Sequence, residues 1–208
     1  MADKSQRPTF TGSSFWDERF GMDKYIYGTE PNVFFKTHLD VLPPGKILLP
    51  AEGEGRNAVY AARQGWEVHA LDFSEQGLAK ALQLAKQYGV SINYEIADVA
   101  QYNTDERFDV VAFLFMHQAA DQRKAIFRRY LDFLKPGGRV IIEVFNKKQL
   151  GLPSGGPKNL DYLIDASELA EIFADLDLQL LEEVETELNE GDHHSGLGRT
   201  SRMIGVKR

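Results

Sequence analysis

Short apolar runs alternate with longer amphipathic segments between Lys46 and Phe145. Helical periodicity is clearest over residues 74–89, where apolar side chains recur at i, i+3, i+4 and i+7, with Ser74 suited to cap the helix and Gly89 to end it. Strands that alternate with helices predict a parallel sheet covered on both faces. The predicted strands of this region are residues 46–50, 67–71, 92–96, 110–116 and 139–145.

The C-terminal third of the chain has a different period. After a predicted helix over residues 166–176, polar and apolar residues alternate over residues 180–188, which is typical of an antiparallel strand with one face in water. A turn over residues 189–198 and a last strand over residues 200–207 complete a hairpin. The predicted fold class is α/β: one domain built on a doubly wound, Rossmann-like sheet of seven strands, mostly parallel, with an antiparallel C-terminal hairpin. The wet face of the hairpin is predicted to carry Glu183, Glu185 and Glu187.

Two segments lie outside this regular pattern. Residues 10–35 are crowded with aromatic side chains, which fits both a helix packed on the sheet and a lid over a ligand. We therefore describe residues 1–40 as an aromatic-rich helical lid. Residues 147–158 form a long loop rich in Gly and Pro, and long loops in compact domains are either functional or mobile.

Composition and charge exclude several kinds of protein. The 208 residues include 24 basic and 31 acidic side chains, and the net charge of −7 opposes binding to nucleic acid and to anionic membranes. The lack of Cys excludes disulfides, thiolate nucleophiles and cysteine metal sites. No apolar stretch approaches the roughly 18 residues of a membrane span, and the polar N-terminus does not look like a signal peptide. We expect a cytoplasmic protein.

A glycine turn follows the first predicted strand. Gly53, Gly55 and Ala58 satisfy the loose GxGxxA pattern at the edge of the sheet where open parallel sheets bind ligands. A glycine lets the backbone approach a ligand closely, and the helix start beyond it presents unpaired N–H groups. Taken alone, the pattern is equally an ordinary glycine turn.

Two acidic residues end the next strands. Asp72 follows the second strand, where a carboxylate can accept hydrogen bonds from both hydroxyls of a ribose. Asp98 follows the third strand and could bind an exocyclic amine such as that of adenine. Each also has a structural alternative, since Asp72 suits a helix cap and a lone Asp is common in turns. Together with the glycine turn, the two acids indicate an adenosine-containing ligand.

With these residues in place, the sequence resembles the class I S-adenosylmethionine (SAM) dependent methyltransferases from Trp16 to its end. The motifs that carry the resemblance are Glu-Gly-Glu-Gly-Arg-Asn at 52–57, Leu-Asp-Phe-Ser at 71–74, Ala-Asp at 97–98 and Leu-Lys-Pro-Gly-Gly at 134–138. Three further motifs are similar to the tellurite-resistance and thiopurine-type small-molecule enzymes: residues 16–20, residues 27–32, and Glu-Gly-Asp-His-His at 190–194.

The resemblance implies SAM as the cofactor and assigns a site to it. The glycine turn would hold the methionyl part, Asp72 the ribose, and Asp98 with the backbone of Val99 the adenine, while residues 115–117 would face the methyl group. The residues implied for the cofactor are Glu52, Gly53, Gly55, Arg56, Asn57, Asp72, Phe73, Asp98, Val99 and Phe115.

The first strand departs from the family pattern. The family usually has an acid followed by Gly-x-Gly, whereas this chain has Leu49, Pro50, Ala51, Glu52 and Gly53. The change removes one polar anchor of the cofactor and adds a Cβ atom. Glu52 is the candidate substitute for the missing acid.

Methyl transfer from a sulfonium needs alignment in a dry pocket and no nucleophilic side chain of the enzyme. A general base helps only where the acceptor must lose a proton. The candidate catalytic residues are His117, at the end of the fourth strand, and His194, in the hairpin turn; either could instead be structural. Because neighbouring residues of an extended chain point to opposite sides, His193 and His194 are not expected to share a metal, and we predict none. His38 and His69 are expected to be structural.

The sequence therefore predicts a SAM-dependent methyltransferase for a small-molecule acceptor, either a soft nucleophile such as a thiol, selenol or tellurium species, or a small heterocycle. One alternative is a non-catalytic SAM-binding protein. Another is an NAD-dependent oxidoreductase, which explains the glycine turn and Asp72 but not the Lys-Pro-Gly-Gly connection. A nucleic-acid methyltransferase is opposed by the net charge and by residues 115–119, which lack the Asn/Asp-Pro-Pro-aromatic signature that extracts a base.

Overall fold

A single mixed sheet with helices on both faces forms the described part of the chain. The computed structural model describes residues 13–208, so Phe10 and the start of the predicted lid lie outside the described residues. The helices are α1 (Ser13–Phe20), α2 (Val33–Leu39), α3 (Arg56–Arg63), α4 (Glu75–Gln87), α5 (Ala120–Asp132) and α6 (Ala166–Ile172). The strands are β1 (Lys46–Pro50), β2 (Glu67–Asp72), β3 (Asn93–Ile96), β4 (Phe108–Leu114), β5 (Leu134–Phe145), β6 (Leu176–Asn189) and β7 (Ser195–Lys207).

The strand order across the described sheet is β3-β2-β1-β4-β5-β7-β6. β1 pairs in parallel with β2 and β4, and β7 lies antiparallel between β5 and β6. This arrangement confirms the predicted fold class. The order reverses between β1 and β4, and in open parallel sheets a crevice for ligands opens at the carboxyl ends of the strands beside such a reversal.

Two apolar layers hold the helices on the sheet. One layer joins the sheet to α5 and α6 and includes Phe113, Phe127 and Phe173, all fully buried. The other joins it to α2 and α3 and includes Phe35 and Ala58. β1 and β4 supply buried side chains to both layers, as the near-continuous apolar strands predict.

Element boundaries agree with the periodicity where local signals are strong. β1 has the predicted bounds, and the Oγ atom of Ser74 accepts a hydrogen bond from the Gly77 N–H at 3.0 Å, so Ser74 caps α4 as predicted. Gly89, with φ of +67°, follows the end of α4. The acidic face of β6 is exposed, as predicted for Glu183, Glu185 and Glu187.

Several strand and helix boundaries differ from the predicted ones, and strand pairing explains the differences at β5 and α6. The Lys-Pro-Gly-Gly segment was predicted to precede the fifth strand, but β5 begins at Leu134, which pairs with Phe108 of β4. α6 ends at Ile172 because the chain from Leu176 onwards already pairs with β7. The aromatic N-terminal segment forms two short helices, α1 and α2, joined by an irregular stretch over residues 21–32.

Candidate functional site

A cavity of about 620 Å³ opens at the carboxyl ends of β1, β2 and β4. Its walls come from α1, the glycine turn, the strand ends, the loop over residues 153–158 and the hairpin turn at residues 192–194. This volume is typical of small-molecule sites. All predicted site residues except Gly55 line the cavity, namely Glu52, Gly53, Arg56, Asn57, Asp72, Phe73, Asp98, Val99, Phe115, His117 and His194.

Gly55 lies behind the cavity and packs against α4. It has φ of +85° directly before α3, and a Cβ atom there would lie 2.5 Å from the Cβ atom of Ala81. Gly77 has a similar role, because a Cβ atom added at this position would lie 2.8 Å from the carbonyl oxygen of Gly53. These glycines let α4 approach the turn closely, and periodicity alone gives no sign of this contact.

Gly53 and Asp72 are in direct contact. The Gly53 N–H donates to Asp72 Oδ2 at 3.0 Å, and the Ser74 N–H donates to Oδ1 at 3.0 Å. Asp72 is 5% exposed, and burial raises the pKa of its carboxyl to about 6 against the opposing effect of these backbone hydrogen bonds. Phe20 of α1 packs on Gly53, where an added Cβ atom would lie 3.0 Å from the ring. Helix α1 and Asp72 therefore both contact the glycine turn at Gly53.

Glu52 is engaged by the start of α3. Its Oε1 atom accepts hydrogen bonds from the Asn57 N–H at 2.8 Å and the Ala58 N–H at 2.7 Å, so it satisfies donors that the helix start would otherwise leave unpaired. Burial raises the pKa of Glu52 to about 7, although these bonds and the charge of Arg56 oppose the shift. Glu52 thus stabilises the glycine turn through the backbone of α3. The absence of the family's acid from the first strand does not explain this role.

Asp98 and Val99 lie at the far end of the cavity. Asp98 is exposed, and its Oδ1 atom accepts from the Ala100 N–H at 2.8 Å, so it closes a local turn as the structural alternative predicted. Its carboxylate also lines the cavity. The Val99 carbonyl accepts from the Tyr130 hydroxyl at 3.1 Å, which fixes this backbone against α5. Asp98 can therefore close this turn and still line the cavity.

Arg56 and Asn57 connect the glycine turn to both ends of the chain. Arg56 Nη2 forms a buried ion pair with Glu190 Oε2 at 2.9 Å, and Asn57 Oδ1 accepts from the Asn32 N–H at 2.9 Å. The side chain of Asn32 donates from Nδ2 to Glu190 at 3.0 Å and to Glu143 at 2.6 Å. We call Asn32, Arg56, Glu143 and Glu190 the buried polar network. The sequence predicts no role for Asn32, Glu143 or Glu190, although Asn32 and Glu190 lie within the motifs at residues 27–32 and 190–194.

His117 lines the cavity and has one buried ring nitrogen without a hydrogen-bond partner among residues 13–208. Its Nδ1 atom lies 2.9 Å from the Tyr162 carbonyl, which only accepts, so Nδ1 carries the proton and Nε2 the lone pair. Nε2 is shielded from solvent and has no hydrogen-bond partner among residues 13–208. Burial lowers the pKa of His117 to about 4, and the ring stacks on Phe145 with centroids 5.8 Å apart. His117 is therefore a neutral hydrogen-bond acceptor.

His194 lies among aromatic rings near His117, since both imidazoles pack on Phe145. Its ring centroid is 4.5 Å from those of Tyr27 and Phe115, and its Nδ1 atom is 3.3 Å from Glu190 Oε2. Burial lowers the pKa of His194, and Glu190 opposes the shift. The loop at Gly155 packs against His193, the sequence neighbour of His194. A Cβ atom added at Gly155 would lie 2.1 Å from the His193 carbonyl oxygen. Loop and hairpin turn therefore form one wall.

A cluster of potential metal ligands lies outside the cavity, at the opposite edge of the sheet; it is the one such cluster among residues 13–208. It consists of Glu67, His69 and Glu106. The ammonium group of Lys46 already pairs with both carboxylates. His69 packs on Phe108 with ring centroids 5.3 Å apart, in agreement with the structural role predicted for it.

The longest described helices, α4 and α5, have 13 residues each, and none in residues 13–208 is long and apolar enough to cross a bilayer.

Comparison with known sequences finds a methyltransferase domain. Residues 47–138 match the family model described as "Methyltransferase domain". The ubiquinone biosynthesis O-methyltransferase of Rickettsia felis is 26% identical over 159 residues, which is 70% of this chain and 65% of that protein. The chain thus spans less than two thirds of the length of this relative.

Comparison with solved structures finds the same fold. TehB from Haemophilus influenzae superposes with a TM-score of 0.71 at 18% identity, over 94% of this chain and 67% of that one. The magnesium protoporphyrin IX methyltransferase ChlM from Synechocystis PCC 6803, solved with bound SAM, has a TM-score of 0.67 at 16% identity, over 98% and 100% of the two chains. These similarities confirm the predicted fold, and the match of residues 47–138 to a methyltransferase domain agrees with the motifs.

Proposed function

We propose that this chain transfers a methyl group from SAM to a small-molecule acceptor. The premise of this proposal is that the chain belongs, by its domain and its fold, to the class I SAM-dependent methyltransferases. The observation that carries the proposal is the contact between Gly53 and Asp72 at the edge of a single cavity. The match to a methyltransferase domain supports methyl transfer over the hydride-transfer alternative.

The residues of the cavity fit SAM. Gly53, Asp72 and Asp98 follow three adjacent strands, β1, β2 and β3, so a backbone cradle and two carboxylates succeed one another along one edge. The absent Cβ atom of Gly53 keeps the cradle open beside Phe20. When bound, SAM supplies a methyl group on a positively charged sulfur, and the acidic lining favours that charge.

The chain's own contribution to the reaction is orientation and the exclusion of water. Tyr27, Phe115 and His194 form an aromatic wall on the side of the cavity away from Asp98. Alignment of two reacting groups in a dry site can lower a barrier by about 7 to 11 kcal/mol. His117 adds a fixed hydrogen-bond acceptor for a polar group of the acceptor molecule.

The names of the similar proteins support a small-molecule acceptor without identifying it. The Rickettsia relative is named for methyl transfer to oxygen in ubiquinone biosynthesis, and ChlM for magnesium protoporphyrin IX. Soft nucleophiles, small heterocycles and hydroxylated rings are thus all candidate acceptors. The net charge of −7 continues to oppose a nucleic-acid substrate.

Calorimetry with SAM and S-adenosylhomocysteine tests the proposal. We expect Asp72→Ala to weaken binding of both by about 1 to 3 kcal/mol, because charged hydrogen bonds to the ribose are lost. Asp177→Ala, which removes an exposed acid of β6, is the matched control and should leave affinity unchanged. Absence of binding by the unaltered protein at millimolar ligand would refute the proposal, and binding without turnover of any acceptor would favour the non-catalytic alternative.

A further inference from the structure

We propose that His194 takes the proton of a neutral O–H or N–H acceptor during methyl transfer, and that Glu190 is the positioning residue that fixes the orientation of this base. The inference rests on the proposed function, since it names the acceptor class and the proton route of the same site. It favours such an acceptor over one that reaches the site as an anionic thiolate or selenolate, which needs no base.

The hairpin turn sets the tautomer of His194. The Glu190 N–H donates to the His194 carbonyl at 2.8 Å, and this closed turn brings the carboxylate within 3.3 Å of Nδ1. A carboxylate only accepts, so Nδ1 carries the proton and the neutral ring has its lone pair on Nε2. In the described part of the chain Nε2 has no hydrogen-bond partner, and the residue lines the cavity. A proton acceptor therefore faces the candidate acceptor site.

Glu190 is held from two other segments. Arg56 and Asn32 donate to its two oxygens at 2.9 and 3.0 Å, and the residue is only 8% exposed. Burial alone would raise the pKa of Glu190, but the charge of Arg56 and the hydrogen bonds from His194 and Arg56 outweigh it and keep the pKa at about 2. The carboxylate stays ionised and stabilises the imidazolium that forms when His194 takes a proton.

His117, the second histidine of the cavity, limits the chemical class of the methyl acceptor. His117 lines the same cavity, its buried Nε2 lone pair has no hydrogen-bond partner in the described part of the chain, and both imidazoles pack on Phe145. An anionic acceptor offers a proton to neither ring and would meet two lone pairs. A neutral ring with O–H or N–H groups can donate to both histidines and pack on the aromatic wall. The geometry therefore favours a flat, protic acceptor.

The proposed step balances in atoms and charge. The acceptor's O–H or N–H bond breaks and its proton passes to Nε2 of His194, while the freed electron pair forms the bond to the methyl carbon. The electron pair of the broken carbon–sulfur bond stays on sulfur, so S-adenosylhomocysteine leaves as a neutral sulfide. The positive charge ends on the imidazolium beside Glu190, and water takes the proton after product release.

A pH profile separates positioning from simple packing. The neutral form of His194 is the reactive one, so kcat/KM rises with pH through the pKa of this residue, which burial holds below its usual 6.5. Removal of the Glu190 charge lowers that pKa further, so the acidic limb of the Glu190→Gln profile should move to lower pH while its plateau falls. The titratable groups that face His194 are Glu190, Arg56, His193, Tyr27 and His117.

The activity experiment compares acceptors that differ in the atom methylated. Catechol and benzimidazole serve as protic probes and benzenethiol as the probe that ionises unaided. We expect His194→Gln to slow methylation of the protic probes by about 10²-fold and Glu190→Gln by about 10-fold, with the thiol rate within about threefold of the unaltered enzyme. His38→Gln and Glu187→Gln, both outside the cavity, are the matched controls.

A measurement without turnover completes the test. Nitrogen NMR of the imidazoles should show the Nδ1–H tautomer for His194 and its loss of population in Glu190→Gln. The His194→Gln variant keeps the Arg56 ion pair, so it reports on the base even where Glu190→Gln unfolds. The Nε2–H tautomer, equal protic rates in His194→Gln, or methylation of no protic probe would overturn the inference. SAM binding persists in those outcomes, whereas its absence defeats the proposed function itself.

Discussion

Two residues with left-handed backbone line the site without being glycine. Ala51 has φ of +55° and Phe115 has φ of +53°, and each directly follows a central strand, β1 or β4. Such a conformation costs a residue with a Cβ atom about 1 to 2 kcal/mol. The family's glycine at the position of Ala51 is therefore explained by backbone geometry, and the alanine here adds local strain without changing the path of the chain.

Glu52 makes stability depend on pH. In the folded protein its carboxyl has a pKa of about 7, raised from 4.5, so the proton binds more tightly to the folded state. The stabilisation from this proton is fully present below about pH 4.5 and is lost as pH rises through 7. Glu52→Gln does not titrate, so its free energy of unfolding relative to the unaltered protein should rise by about 3 kcal/mol between pH 4.5 and 8.

Urea unfolding of both proteins at several pH values measures this difference. Asp72, whose pKa burial raises to about 6, titrates in both proteins and cancels in the comparison. Glu187→Gln, at an exposed position of β6, is the control and should show no such trend. A constant difference between Glu52→Gln and the unaltered protein across this range would contradict the shifted pKa.

At the scale of secondary-structure elements, sequence patterns correctly predicted the structural features that local chemistry determines. The apolar run of β1, the Ser74 cap and the alternating charges of β6 are each set by residues adjacent in sequence. The start of β5 at Leu134 was missed because it depends on pairing with Phe108, a partner that periodicity does not identify. The strand ends brought most predicted site residues together, because parallel strands present their carboxyl ends at one edge.

The residues that the sequence did not reveal act between elements. Glu190 and Asn32 acquire their roles only when the N-terminal segment and the C-terminal hairpin meet beside Arg56. Gly55, by contrast, was assigned to the cofactor from its place in a motif, whereas the structure gives it a packing role against Ala81. Motif spacing describes the backbone near a ligand, and it does not separate residues that touch the ligand from those that support the turn.

The loop that follows β5 offers a test at this scale. Gly155 and Gly151 both have positive φ, at +110° and +89°, but only at Gly155 would a Cβ atom meet backbone, at 2.1 Å from the His193 carbonyl oxygen. We expect Gly155→Ala to raise KM for the acceptor several-fold while SAM affinity stays within about twofold, because the displaced turn lies on the acceptor side. Gly151→Ala shares the backbone strain and should leave KM unchanged; equal effects would contradict this division of the cavity.

For the whole molecule, the buried polar network joins segments that are far apart in the chain. Arg202 Nε and Thr200 Oγ1 of β7 donate to Glu143 Oε1 at 2.7 and 3.1 Å, so Glu143 links the last strand to Asn32. Fully paired buried charges of this kind stabilise little by themselves, but loss of one partner is costly because a charge is left uncompensated. The network therefore holds the segment before α2, the glycine turn and the hairpin in a single arrangement.

Asn32→Ala tests that coupling. It removes one donor from each of Glu143 and Glu190 together with the side-chain cap of α2, and we expect the free energy of unfolding to fall by about 2 to 4 kcal/mol, with faster proteolytic cleavage between α1 and α2. Asn103→Ala, at an exposed position, should change stability by less than about 0.5 kcal/mol. Chemical denaturation followed by limited proteolysis distinguishes the two; a fall below 1 kcal/mol for Asn32→Ala would show that the segments are held by other contacts.

The position of β7 between β5 and β6 has a consequence for synthesis. A nascent chain that has left the ribosome only as far as β5 already contains Gly53, Asp72 and Asp98, yet it lacks Glu190, His194 and the strand that anchors Glu143. The half of the cavity that we assign to the adenosyl group can thus form during translation, whereas the half that we assign to the acceptor forms only after the final residues emerge.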